Sequence, residues 1–155
     1  MRIVLAIFLG AAFSALSLAA FAADPARLVG TVKTPLTLDS AMLGGLPVAS
    51  VSVGYGSAKS TYTGVLVWDL LKKAELLDGA GKGGALRHTL LVTAGNGYAV
   101  AVALGELDPA YGNKRVLLAY HSSDGSVSFE HLKLLVPGDL HAGRAVRDVT
   151  TIEVH

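Results

Sequence analysis

The chain predicts an α+β fold, with a mixed, largely antiparallel sheet and short helices. Three observations lead there. Helical signals are short and come early in the sequence. The later half carries strand signals joined by tight turns, of which Gly95-Asn96-Gly97 is the strongest. No strand–helix–strand alternation runs along the chain, so a doubly wound parallel sheet is not indicated.

The elements follow in order. Met1–Ala22 reads as an export signal: Arg2 is a positive start, Ile3 to Leu18 an apolar run, and Ala20-Phe21-Ala22 a small-x-small cleavage site. An uncleaved anchor is the rival, since about 20 apolar residues span a bilayer. Residues 23–155 form one domain. Leu28–Lys33 alternates as a strand. Pro35–Leu43 reads as a short helix capped by Thr37 and stopped by Gly44-Gly45. Val48–Val53 is a second alternating strand, and Gly54–Ser60 a loose segment. Thr63 reads as the N-cap of a helix over Gly64–Leu77, whose Val67, Leu70, Leu71 and Ala74 share one face. Asp78–Gly84 is a glycine-rich loop. Thr89–Thr93 and Tyr98–Val102 form the hairpin. Leu104–Leu107 is one helical turn ended by Asp108-Pro109. Arg115–Tyr120 and Leu132–Val136 are strands, with a turn at Ser123-Asp124-Gly125. Val146–Val154 closes the fold.

Composition excludes several classes. Removal of Arg2 with the leader leaves twelve Lys/Arg facing twelve Asp/Glu. No charge field then points to nucleic acid or to an anionic membrane. There is no cysteine, so no disulfide, thiolate metal site or cysteine nucleophile exists. The Gly-x-Ser-x-Gly elbow of hydrolases is absent. Gly79–Gly84 lacks P-loop spacing and follows a helix, where a P-loop follows a strand. His121, His131 and His141 offer no i, i+4 ligand pair, so no metal ligand is assigned.

Two segments carry a resemblance. Tyr62-Thr-Gly-Val-Leu-Val-Trp-Asp-Leu-Leu71 and Leu135–Val154, with Pro137-Gly138-Asp139, Gly143-Arg144, Arg147 and Ile152, resemble the molybdopterin-binding domain of sulfite-oxidase-type oxidoreductases. Gly95-x-Gly97-Tyr98 adds a third match. The resemblance extends from about Leu28 to Val154. It implies an α+β framework, and a final segment that helps to hold a pterin and its phosphate. Gly138, Gly143, Arg144 and Arg147 are the cofactor-binding candidates. A glycine turn lets backbone N–H groups approach an anion, and arginine binds phosphate bidentately. The plainer reading is a turn with solvated arginines. Asp148, where the family usually has an aromatic, is placed to pair with Arg147. Tyr55 offers a face for a flat ligand, or ordinary packing.

The chain departs from the family at the metal. The loop that carries the molybdenum-ligating cysteine in the family reads Gly54-Tyr55-Gly56-Ser57-Ala58 here, and serine is a far poorer ligand than a thiol. The expected cofactor is therefore molybdopterin or another phosphorylated pterin, with molybdenum not tightly held. The leading expectation is a periplasmic or secreted binding or accessory module, with its pocket between Gly54–Thr63 and Pro137–Arg147. Its partners would be a small anionic ligand and a periplasmic protein. Two alternatives stay open: a periplasmic molybdopterin-dependent oxidoreductase with a non-cysteine metal ligand, and an interaction domain without a small ligand.

Overall fold

The computed structural model describes residues 24–55, 59–77 and 83–155. The expected leader and its cleavage site, Gly56–Ala58, and Asp78–Lys82 lie outside them. Among the described residues, nine strands divide into two sheets. The first strand, β1 (Arg27–Gly30), ends at Gly30, where φ is +97°. A Cβ there would collide with the Val154 backbone, so both the conformation and the close approach require glycine.

The first helical expectation is corrected. Leu36–Thr37 is a short strand, β2, paired antiparallel with β1. The helix α1 is only Ser40–Gly44, and its cap is Asp39, whose Oδ1 accepts from the Met42 N–H at 2.8 Å. Thr37 faces Arg27 across the β1–β2 pair, so its backbone is committed to the sheet.

The larger correction concerns Thr63. It caps no helix. It sits in β4 (Lys59–Leu66), which pairs antiparallel with β3 (Val48–Gly54). Lys59 and Ser60 therefore belong to a strand, not to a loose segment. The Thr63 hydroxyl lies 3.0 Å from that of Ser50, and Ser52 and Thr61 pair likewise. Thr61, Thr63 and Val65 supply the β-branched alternation that a strand prefers. Gly64 admits the neighbouring strand: a Cβ there would strike the Leu118 carbonyl.

The helix begins later, as α2 (Val67–Ala74); Leu66 before it makes no side-chain capping bond, and the Val67 N–H donates to the Val116 carbonyl at 2.9 Å. Its buried face is the expected one: Val67, Leu70, Leu71 and Ala74. Asp69 in the first turn and Lys72 and Lys73 in the last suit the helix dipole. The hairpin also forms as expected, from β5 (Thr89–Ala94) and β6 (Ala99–Ala103). Gly97 takes φ +84°, and the Asn96 side chain accepts from the Tyr98 N–H at 3.0 Å. Leu104–Leu107 is the expected single turn, α3. The remaining strands are β7 (Leu117–Ser122), β8 (Lys133–Leu135) and β9 (Val149–Val154).

One sheet runs β2-β1-β9-β5-β6 and the other β3-β4-β7-β8. Among the described residues only β1 and β9 pair in parallel, so the fold is mixed and largely antiparallel, as expected. The main core packs α2 against strands of both sheets, through Leu28, Leu70, Leu90, Leu118 and Ile152. A second cluster covers the opposite face of the four-stranded sheet, through Ala49, Val53, Tyr62, Leu117 and Leu135. Strand β7 serves both: Leu118 and Tyr120 point into the main core, Leu117 and Ala119 into the second. A strand buried on both faces reads as a continuous apolar run, which Leu117-Leu118-Ala119 is.

Candidate functional site

The expected site residues separate into two places. Gly138, at φ +91°, turns the chain after β8, and a single 3₁₀ turn follows at Ala142–Arg144. That turn aims Arg144 back at Asp139. Its Nε donates to Asp139 Oδ2 at 2.8 Å and its Nη2 to Oδ1 at 2.7 Å, a bidentate fork. Its Nη1 donates to Glu106 Oε1 at 3.1 Å, and Lys114 Nζ donates to Glu106 Oε2 at 2.7 Å. Two cations thus meet two carboxylates. The Arg144 bonds hold the Asp139 carboxyl below its usual range. Burial pushes Glu106 up, but hydrogen bonds from Lys114 and Arg144 outweigh it and leave it lowered. Asp139 and Glu106 in turn push the Arg144 guanidinium up. Arg144 is thereby a clamp between α3 and the segment after β8.

Tyr55 lies beside this clamp. Burial raises its phenol, and the charge of Asp139 adds to the rise. The ring packs against the second apolar cluster, which Ala145 also borders. Next in this region is Tyr62, whose hydroxyl accepts from Lys133 Nζ at 3.1 Å. Lys133 is only 8% exposed, and its ammonium also lies 4.6 Å from the Tyr62 ring centre. A lysine in an apolar strand gave no sign of this pairing. Only the register of β7 with β8, which sets Lys133 opposite Ala119 on the face of Tyr62, creates it.

Arg147 is elsewhere. It is exposed and has no ion pair among the described residues. It lines a cleft of about 540 Å³ with Gly95, Asn96, Tyr98, Ala145 and Asp148. Gly143 flanks this cleft through its carbonyl, which accepts from the Tyr98 hydroxyl at 2.5 Å. The hairpin tip is thus tied to the 3₁₀ turn. Asp148 does not pair with Arg147. Its carboxylate takes His131 Nδ1 at 2.8 Å, with φ +51° at Asp148 turning the chain into β9. A second, smaller hollow of about 240 Å³ lies between α2 and Gly83–Ala85, lined by Trp68, Leu71, Lys72 and Asp108 among others. None of the described residues of the Gly54–Thr63 segment lines either concavity.

The structure therefore brings Tyr55 to Arg144, and Arg147 to the hairpin, but it does not join the two arginines in one pocket. Among the described residues, no group of three His, Asp or Glu side chains is arranged to hold a metal ion.

No protein-family model matches the chain, and no curated protein matches it. Among solved structures, it is similar to the sulfane dehydrogenase SoxCD from Paracoccus pantotrophus, with a TM-score of 0.63 at 17% identity. The match covers 84% of this chain and 37% of that one, so the chain spans little more than a third of its neighbour. At this identity the likeness shows a shared fold. The fold is the α+β arrangement expected of a sulfite-oxidase-like domain.

The donor set can be tested against the cofactor that the resemblance implies. A thiolate-held metal does not fit, because the chain has no cysteine. Ser52 is already bonded to Thr61 across the strands. Of the two candidate arginines, Arg147 is the one left for the anionic end of a pterin, since the Arg144 fork already holds a carboxylate.

Proposed function

We propose that this domain is an exported binding or accessory module, built on the framework of a redox-enzyme domain, that takes a small phosphorylated ligand without thiolate-held molybdenum. The observation that carries the reading is Arg147: a cation with no carboxylate partner among the described residues, beside a cleft edged by the Gly95-Asn96 turn. A guanidinium in such a place binds phosphate through two parallel N–H groups. A phosphorylated pterin is the ligand class, because its flat ring and anionic end suit a cleft of this size. The shared fold with a sulfane dehydrogenase supports the redox-enzyme framework. Export rests on the Met1–Ala22 pattern, and a protein partner in the periplasm is the setting in which an accessory module acts.

Titration calorimetry with inorganic phosphate and with a phosphorylated pterin tests the ligand. Binding that weakens with added salt is expected, because the cation is exposed. Arg147→Ala should lower affinity about tenfold, equivalent to ~1.4 kcal/mol. The absence of any binding, or equal binding by wild type and variant, refutes the site. Elemental analysis finding one molybdenum per chain would refute the metal-free reading. Export is tested by N-terminal sequencing, which should begin at Ala23. A mature chain keeping Met1–Ala22 in the membrane fraction would overturn it.

A further inference from the structure

The four-stranded sheet ends at β3, and no strand lies beyond it among the described residues. Edge strands are normally guarded by charge, proline, a bulge or brevity. Strand β3 has none of these. Its seven residues, Val48-Ala-Ser-Val-Ser-Val-Gly54, carry no charge and no proline, and their register with β4 is unbroken. The edges β2 and β8 have two and three residues. The edge β6 is shorter than β3, and Ala103 runs straight into α3.

The strand is also self-complementary. About Val51, Ser50 mirrors Ser52, Ala49 mirrors Val53 and Val48 mirrors Gly54. Antiparallel pairing with a second copy, on a two-fold axis through Val51, matches like with like on each face. On one face Val51 meets Val51 and Ala49 meets Val53. This extends the second apolar cluster, at whose border Val51 is left half-buried. On the other face Ser50 meets Ser52. Both are exposed, and both already bond the hydroxyls of Thr63 and Thr61 at 3.0 Å. The hydroxyl ladder then continues across the axis, with no like charges opposed. Such an isologous contact closes as a dimer.

We propose that β3 is the docking edge for a second copy of this chain, joining two four-stranded sheets into one continuous sheet. The proposal is independent of the anion site. Sedimentation of the mature chain over a range of concentrations tests it, and a dimer is expected. The double variants Ser50→Lys/Ser52→Lys and Ser50→Glu/Ser52→Glu should each be monomeric, with unchanged circular dichroism. Mixed in equal amounts they should form a heterodimer, since lysine then faces glutamate. A cross-link gives a second reading, on a background without native cysteine. Facing residues of an antiparallel pair lie about 4.5–5.5 Å apart at Cα, within disulfide reach. Val51→Cys should therefore oxidise to a covalent dimer, whereas Val48→Cys, whose mate is Gly54, should not. A monomeric wild type, a dimer that survives both charged variants, or equal cross-linking at positions 48 and 51 would overturn the proposal.

Discussion

Replacing Arg144 by alanine distinguishes a structural clamp from a ligand-binding arginine. In the structure Arg144 makes a two-bond fork to Asp139 and a further bond to Glu106. The three side chains are 29%, 16% and 30% exposed, so water screens the contacts only partly. A hydrogen bond to a charged group contributes about 1.5–3 kcal/mol net, and a fully exposed ion pair about 0.2–1 kcal/mol. Truncation removes the fork and leaves two carboxylates with Lys114 as the remaining neighbouring cation. A loss of about 2 kcal/mol is expected. With a urea slope of about 1–3 kcal/mol per M, the unfolding midpoint should fall by roughly 1 M. Arg144→Lys should lie between, because an ammonium cannot reproduce the fork. The pH dependence has a definite sign. Asp139 and Glu106 both have folded values below their ordinary range. Their contribution is present above about pH 4 and is lost as pH falls through the lowered folded values. The stability gap between wild type and Arg144→Ala should therefore narrow on acidification below about pH 4. A loss under about 0.5 kcal/mol, together with weakened phosphate binding, would refute the clamp and return Arg144 to the ligand.

Three further changes test the corrected helices and the core. Leu70 is fully buried in the main cluster, so Leu70→Ala should cost about 2–5 kcal/mol by chemical denaturation. Unchanged stability would mean that α2 does not present that face. Asp39→Ala should cost about 1 kcal/mol through the lost cap of α1. Thr63→Ala, which removes only an exposed hydroxyl pair, should change stability by less than about 0.5 kcal/mol. The reverse order would restore Thr63 as a cap.

Much of this architecture was legible in the sequence, where the determinant is local. The Gly95-Asn96-Gly97 turn was readable because its determinants lie within a few residues: Gly97 supplies the positive φ and the Asn96 side chain bonds the backbone two residues on. The buried stripe of α2 was readable because four apolar side chains at helical spacing define a face wherever the helix begins. Its start was not, since Thr63 and Gly64 satisfy a cap and a strand equally well. The strand prevails because β3 offers Ser50 to the Thr63 hydroxyl and β7 needs a residue without Cβ at Gly64. Contacts between distant segments decided the candidate site in the same way. Arg144 and Arg147 look alike in the chain. Glu106, some forty residues earlier, makes one a clamp, and His131 draws Asp148 away and leaves the other open. A side chain's charge is written in the sequence. Whether a partner already holds that charge depends on which segments folding brings within three ångströms, and only the tertiary structure decides that.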